Sequence, residues 1–308
     1  MDRKTPMRTG IDLGGTKIEA VVLDRAGLPV FRERLPTPTD YAGTIEAIAT
    51  LVVAAEAVAG PGTVGIGMPG VMSPATGLVK NANSTWLNGR PLEQDLVARL
   101  GRPVRLANDA NCFALSEAVD GAGAGKRCVF GVIIGTGTGG GLVIDQQVLV
   151  GANAIAGEWG HNPLPWPERG ELPGPPCYCG RTGCIETFLS GPGLSFDYLA
   201  STGEHLDPIA IVDRAGRGDS AAAATLRRYE ARMARALASI INVVDPDVIV
   251  LGGGLANVRT LYERVPRLWA PFVFSDTVVT PLVQNGHGDS SGVRGAAWLW
   301  PDRDPLPD

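Results

Sequence analysis

The chain has 308 residues, 44% of them hydrophobic, and 27 basic against 32 acidic side chains give it a formal net charge of −5. That length and apolar content support either two domains or one large α/β unit with a substantial core. The acidic balance disfavours a sequence-independent binder of nucleic acid, which needs a cationic face. No run of about 18 apolar residues free of charges and turn formers marks a membrane span, and "MDRKTPMRTG" has no apolar stretch of the secretory kind. The expectation is a cytoplasmic protein acting on a small molecule, with no nucleic-acid or membrane partner. Met7 lies just before the first strand pattern, so residues 1–6 read as a frayed extension or a start-codon artefact.

In chain order, "MRTGIDLGGTKIEAVVLDRAGLPVFRERL" predicts a strand ending near Leu13, a turn at Gly14-Gly15-Thr16 and a strand over Ile18–Leu23. A turn at Asp24–Gly27 and a third strand from Leu28 complete an antiparallel meander. "TIEAIATLVVAAEAVAG" has helical spacing, and "TVGIGMPG" reads as a buried strand ending in a turn. "PLEQDLVARLG" predicts a short helix, "PVRLAND" a strand, and "ANCFALSEAVDGAGAG" a helix that dissolves into glycine, so a first lobe spans residues 1–120.

"CVFGVIIGTGTGGGLVIDQQVLVGAN" then repeats the opening plan: strand Val129–Ile134, a Gly/Thr turn, strand Gly141–Ile144, a turn at Asp145–Gln147 and strand Val148–Val150. Two lobes of one architecture are implied, without a strict sequence repeat. Leu226, Tyr229, Met233, Leu237, Ile240 and Val244 recur three or four residues apart, predicting a long amphipathic helix. It feeds the strand "DVIVL" and the triplet Gly252-Gly253-Gly254. The second lobe covers residues 121–293, and a last helix over 294–308, with a small-residue face starting at Gly295, joins the first lobe.

The 41 glycines cluster, as they do where backbone approaches a ligand or turns tightly. Gly135–Gly140, "GTGTGG", fits the dinucleotide spacing G-x-G-x-x-G, but a strand follows it where that fold requires a helix. No Walker A motif is present, since Gly125-Lys126 is followed by Arg127. What remains is a pair of turns, Asp12–Lys17 and Gly135–Thr138. Each is either a plain tight hairpin or a nest of backbone N–H groups for phosphate. Two copies, one holding Asp12, a carboxylate able to reach Mg²⁺ through water, and Lys17, a nearby cation, point to ATP.

The motifs "IDLGGTK", "GIGMPG", "LANDAN", "IIGTGTGGG", "GEWGH", "CYCGRTGCIE" and "VLGGG" resemble the ROK family of sugar kinases and repressors, in the family's order from about Arg8 to Trp300. The resemblance implies an α/β chain of the actin-like ATPase, hexokinase-type fold, with two lobes around a central cleft that closes when sugar enters. It places Gly14, Gly15, Thr16 and Lys17, with Asp12, and Gly135, Thr136 and Gly137 at the phosphates of ATP. Gly252, Gly253 and Gly254 then lie near adenosine, the alternative being a flexible strand-to-helix turn.

Sugar phosphorylation needs a group that orients the attacking hydroxyl and accepts its proton. Asp109, at a strand-to-helix junction, is either a helix cap or that base, and the resemblance makes it the base. It also places Gly70, Asn83, Asn108, Glu158, His161 and Glu186, with Asp109, around the sugar. Asn83 otherwise reads as a turn residue and Glu158 as a surface charge.

Three of the five cysteines and a histidine fall in the Pro/Gly-rich stretch 161–186. Three cysteines cannot all pair among themselves, and a cytoplasmic setting disfavours disulfides. Cys177, Cys179 and Cys184 with His161 supply an S₃N set suited to tetrahedral zinc, and the family carries a structural zinc there. A closed shell activates no water, so this Zn²⁺ is expected to pin the loop and hold Glu158 and Glu186 in register, leaving the second imidazole nitrogen for a sugar hydroxyl. Cys112 and Cys128 read as inert buried thiols.

A sugar-sensing, non-catalytic regulator is the rival class; the family's repressors carry an N-terminal helix-turn-helix, for which a phosphate-binding strand starting by Arg8 leaves no room. "VKNANSTWLNGRPL", "GEWGHNPLPWP" and "GHGDSSGVRGAAWLW" look like the fructokinase and manno(fructo)kinase branch. The expected reaction is transfer of the ATP γ-phosphate to the 6-hydroxyl of D-fructose, with mannose as a second substrate. Glucokinase or N-acetylhexosamine kinase activity is the alternative, and a homodimer is the family's common state.

Overall fold

The computed structural model describes residues 7–301; the expectation for residues 1–6 lies outside them. The chain divides into two compact units: Met1–Gly125 with Gly141–Ala156 and Asp289–Asp308, and Lys126–Gly140 with Gly157–Gly288. Residues 121–125, 141–156 and 289–293 thus group with the first unit, beyond the 1–120 and 294–308 that the sequence suggested.

The first unit opens with β1 (Met7–Leu13), β2 (Lys17–Leu23) and β3 (Pro29–Pro36), followed by α1 (Tyr41–Ala59), β4 (Gly62–Met68), the small hairpin β5 (Val71–Met72) and β6 (Val79–Lys80), α2 (Leu92–Leu100), β7 (Arg105–Asn108) and α3 (Asp109–Val119). The sheet order is β3-β2-β1-β4-β7. The predicted meander is antiparallel, and β1, β4 and β7 run parallel. Asp40 caps α1 by accepting from the Gly43 N–H. Ile45, Ile48, Leu51 and Val52 of α1 pack with Ile11, Ile18, Val64 and Ile66 of the sheet and with Leu92 and Leu96 of α2. Among the described residues α1 alone is long and apolar enough to cross a membrane, and one of its faces lies in this core.

Next come β8 (Cys128–Ile134), β9 (Thr138–Ile144) and β10 (Gln147–Val148), then α4 (Ile185–Leu189), α5 (Gly191–Thr202), α6 (Pro208–Gly216), α7 (Ser220–Val244), β11 (Val248–Gly252), α8 (Arg259–Leu268) and β12 (Leu282–Gln284). Their sheet has the order β10-β9-β8-β11-β12, with β8, β11 and β12 parallel, so the same plan is built twice. β9 starts at Thr138, three residues earlier than the sequence suggests. Its glycines are packing positions rather than turn formers: a Cβ on Gly140 would lie 2.7 Å from the Gly157 carbonyl and one on Gly141 2.7 Å from that of Ala110. The predicted stripe of α7 holds through Leu237 and then turns, since Ile241 is buried where Ile240 and Val244 are half-buried. The Tyr229 hydroxyl on that stripe donates to the Leu189 carbonyl at 2.7 Å.

The last helix, α9, is Ser291–Ala297 rather than 294–308, of which residues 302–308 lie outside the described part. Its small face does pack closely: a Cβ on Gly295 would meet the Cys112 carbonyl at 1.6 Å, and one on Gly10 the Val293 carbonyl at 2.1 Å. The Arg294–Asp120 ion pair and the Trp300 Nε1–H bond to the Val64 carbonyl at 2.8 Å fix this end of the chain to the first unit. Cys112 is buried as expected, but Cys128 is half-buried, at the start of β8.

Candidate functional site

In the first unit the parallel strands β1, β4 and β7 bring their C-terminal ends side by side, the usual place for a ligand in α/β sheets. The register pairs Asp12 with Gly67 and Met68 with Asn108. Asn108 caps α3, its Oδ1 accepting from the Ala110 N–H at 2.9 Å, while its Nδ2 donates to the Gly70 carbonyl at 3.0 Å. Capping therefore falls to Asn108, and Asp109 is left as the first helical residue, with Oδ1 accepting from the Ala110 N–H at 2.8 Å.

Gly70 has φ +73°, and a Cβ there would meet the Lys80 carbonyl at 2.4 Å and the Ala82 nitrogen at 2.6 Å, so only glycine fits. Asn88 grips Ala82 from the other side, accepting from its N–H and donating to its carbonyl, each at 2.9 Å. Exposed Asn83 follows directly. Gly70, Asn83, Asn108 and Asp109 are thus tied into one corner of the first unit.

The Asp12–Lys17 turn closes with Gly14 N–H to Lys17 carbonyl at 3.0 Å, and the Thr37 hydroxyl donates to the Gly14 carbonyl at 2.7 Å. Gly15, Thr16 and Lys17 are exposed. Ser84, which sequence reasoning missed, has a buried Oγ with no hydrogen-bond partner among the described residues, 3.9 Å from where a Cβ on Gly15 would be.

Burial raises the Asp12 carboxyl from 3.8 to about 6, helped by the charges of Asp109 and Glu19 and opposed by Lys17. Asp109 is also raised, by desolvation first, with the Ala110 N–H and the Asn108 side chain pulling it down. Asp109 keeps exposed surface, which tempers its shift. Two carboxylates held close in this way make a cation-seeking corner. The native Asp12 holds its proton more tightly than the unfolded chain, a contribution complete below about pH 4 and lost as pH rises through about 6. Asp12→Asn is therefore expected to stabilise the ligand-free protein at pH 7.5 by about 1–3 kcal/mol. Thermal midpoints of both proteins should diverge between about pH 5 and 7.5; a constant gap across that range defeats the assignment.

In the second unit β8 and β11 also run parallel, and their turns meet. Gly253 has φ +82°, and a Cβ there would lie 2.5 Å from the Ile134 carbonyl at the end of β8. Gly252 is buried within β11, whereas Gly253 and Gly254 lie at the surface. The Gly135–Gly137 turn is closed by Gly135 N–H to Gly137 carbonyl at 3.0 Å, and the Gly191 N–H donates to the Gly135 carbonyl at 2.7 Å. Thr136 is exposed. Glu186 Oε2 accepts from the Thr138 N–H at 2.9 Å, and a Cβ on Gly137 would sit 2.7 Å from that oxygen. The turn read as a phosphate nest thus touches a carboxylate read as a sugar ligand. Thr138 Oγ1 beside it is buried and has no partner among the described residues.

Backbone pairing builds the cysteine loop before any metal does. Leu164 N–H donates to the Gly183 carbonyl, Ile185 N–H to Asn162 and Glu186 N–H to Gly160, at 2.8–2.9 Å, which sets His161 beside Cys184. Trp159 anchors the preceding stretch by donating to the Gly139 carbonyl at 3.0 Å and standing edge-on to Phe130. Glu158 is exposed next to it.

One ligand atom each from His161, Cys177, Cys179 and Cys184 lie within 4.8 Å of one another. Cys179 and Cys184 Sγ are 3.7 Å apart and Cys177 Sγ is 3.4 Å from His161 Nδ1. A disulfide needs about 2.05 Å, whereas ligands on a tetrahedral zinc with Zn–S of about 2.3 Å stand about 3.5–3.8 Å apart. The donor set and its spacing fit zinc. Burial, and then Cys179 and Cys177, push the free Cys184 thiol up to about 12, so a cation is what would let these sulfurs share one space as thiolates. The second imidazole nitrogen does not stand open: His161 Nε2 lies 2.8 Å from the Tyr178 hydroxyl, a residue sequence reasoning passed over.

Several known proteins are similar to this chain over about 95% of its length. The N-acetyl-D-glucosamine kinase of Vibrio cholerae is 43% identical over 299 residues, 95% of this chain and 99% of that one, and that of Vibrio parahaemolyticus 40% over the same span. Among solved structures, the ROK hexokinase of Thermus thermophilus matches with a TM-score of 0.85 and 32% identity, over 95% of this chain and 97% of the other. A ROK family glucokinase from Streptomyces griseus, in complex with glucose and AMPPNP, matches with a TM-score of 0.76 and 27% identity, over 95% and 98%. The fold is accordingly the α/β actin-like ATPase type of the ROK hexokinases. With the family's own sequence pattern matched from residue 8 to residue 303, the chain belongs to the ROK family.

Proposed function

We propose that the protein is a cytoplasmic, ATP-dependent sugar kinase that transfers the γ-phosphate to the primary hydroxyl of N-acetyl-D-glucosamine. The observation that carries this is end-to-end identity of 40–43% with kinases of that sugar in two Vibrio species. Those relatives support the N-acetylhexosamine expectation in preference to D-fructose and mannose. The reading of the fructokinase branch rested on three short stretches, and discrimination among hexoses depends on a few contacts of about 1–3 kcal/mol each.

The roles divide between the units. In the first, Asp109 is the base: it orients the attacking hydroxyl and takes its proton, while Gly70, Asn83 and Asn108 line the sugar beside it. An alcohol is far less acidic than a carboxylic acid, so the proton moves late, when phosphoryl transfer is advanced. Asn108 already spends one bond of its amide oxygen on the cap and one amide hydrogen on Gly70, and its oxygen retains a lone pair for a hydroxyl. Asp12 is the carboxylate for Mg²⁺, which would neutralise charge on the transferred phosphate, and the turn through Gly14 to Lys17 offers N–H groups and a cation to the same phosphates.

In the second unit Gly135–Gly137 and Gly253–Gly254 face the nucleotide, and Glu158, His161 and Glu186 face the sugar. Zn²⁺ held by His161 and the three cysteines would supply rigidity and no chemistry. The test is ADP release with ATP, Mg²⁺ and a panel of N-acetyl-D-glucosamine, glucose, mannose and fructose. The expected result is the highest kcat/KM for N-acetyl-D-glucosamine. Preference for another hexose overturns the substrate, and failure with every sugar favours a sensor without catalysis.

A further inference from the structure

We propose that Tyr178 gates the sugar subsite of the second unit, its phenol holding on His161 the hydrogen bond that a hydroxyl of the incoming sugar must take over. The proposal rests on the sugar-kinase reading above. Tyr178 is 84% exposed, yet its hydroxyl lies 2.8 Å from His161 Nε2, and the two rings stand edge to face at 5.0 Å between centroids. The other ring nitrogen, Nδ1, faces the cysteine cluster, 3.4 Å from Cys177 Sγ.

An imidazole that gives Nδ1 to a metal keeps its proton on Nε2. Nε2–H then donates, and the Tyr178 oxygen accepts. The phenol keeps its own proton, as a sugar hydroxyl in its place would. An oxygen that accepts from this imidazole stands where a hydroxyl of the sugar would have to accept. Tyr178 is therefore an internal stand-in for substrate.

The gate can open at little structural cost. The ring is mostly in solvent, so swinging it outward leaves no cavity in a core. The turn that carries it is closed by the backbone of its flanking residues, Cys177 N–H to the Arg181 carbonyl at 2.8 Å and Gly180 N–H to the Cys177 carbonyl at 3.0 Å, and not by the Tyr178 ring. A group that occupies the subsite lowers apparent sugar affinity by the fraction of molecules in which the subsite is free. The one hydrogen bond that a sugar hydroxyl must displace makes that factor about five.

Tyr178→Phe removes the oxygen and keeps the ring. The Kd for N-acetyl-D-glucosamine, by calorimetry, should fall about fivefold, with the kinetic change falling on sugar KM rather than kcat. Long-range proton–nitrogen spectra of the zinc-loaded, sugar-free protein, which has three histidines, should show the His161 Nε2 signal move on substitution. Unchanged or weaker sugar binding by Tyr178→Phe overturns the gate, as does an unmoved Nε2 signal in protein that still binds sugar. Failure of every sugar in the panel to bind either form overturns the gate and the kinase reading together, whatever the histidine signal does.

Discussion

Asp109→Asn is expected to lower kcat by about 10²–10⁴ while leaving the thermal midpoint within about 2 °C of the parent. The two halves of that expectation come from the same geometry. Asn108, not Asp109, caps α3, so the cap survives the substitution. The hydrogen bond from the Ala110 N–H to Asp109 Oδ1 at 2.8 Å can be accepted equally by the amide oxygen of asparagine. Burial already works against the charge on Asp109, so removing it relieves a cost. What asparagine cannot do is accept the proton of the attacking hydroxyl. A capping aspartate would lose little of either, since asparagine caps a helix about as well as aspartate, so activity is what tells the two roles apart. Steady-state kinetics separates the two, with the melt showing that the variant is folded; more than a tenth of the parental kcat in the variant rules out the base. KM for ATP should change least, because the lost interaction belongs to the transition state.

The sequence could pose this choice but not decide it. "LANDAN" offers two good capping residues in succession, and which one caps depends on a single residue of helix register. The register is set by β7 pairing with β4, which places Asn108 beside Met68 and within reach of the Gly70 carbonyl. Much else was legible because it is local. The antiparallel meanders follow from period-two hydrophobicity and glycine turns, and the S₃N cluster follows from donor chemistry. Helices α5, α6 and α8 went unread, their sequences broken by glycine, proline or mixed charge; Pro266 lies inside α8.

The glycines of β9 looked like turn formers because the atoms that forbid a side chain there come from Gly157 and Ala110, distant in sequence. The role of Tyr178 was invisible for a similar reason. Between two cysteines of the cluster it reads as a spacer, and only the fold of the loop turns its hydroxyl onto His161, seventeen residues back. The preferred sugar was least legible of all, since hydroxyl stereochemistry is sensed by side chains from several segments at once.

Loss of the metal should be the more damaging change for the second unit. The purified protein is expected to carry about one zinc per chain, and Cys184→Ser to lose it, lowering the thermal midpoint by about 10 °C. Cys184 is 1% exposed and stands 3.7 Å from Cys179, so its loss opens the cluster from the buried side. The full binding energy of a structural zinc, about 10–16 kcal/mol in isolated fingers, overstates the effect. Here Leu164, Ile185 and Glu186 keep their backbone bonds, and Trp159 stays anchored on β9. The damage therefore concentrates on what those bonds do not hold, the His161 ring and the Cys177–Gly180 turn that bears Tyr178. Sugar KM should rise more than tenfold as His161 loses its orientation, while KM for ATP rises less, through the link from Glu186 to the Thr138 N–H. Metal analysis, melts and both KM values on the parent, the variant and chelator-treated protein check this. Equal damage to sugar and nucleotide binding would mean that the clip supports the whole unit; unchanged sugar KM in zinc-free protein would mean that backbone pairing alone sets His161 and Glu186 in place.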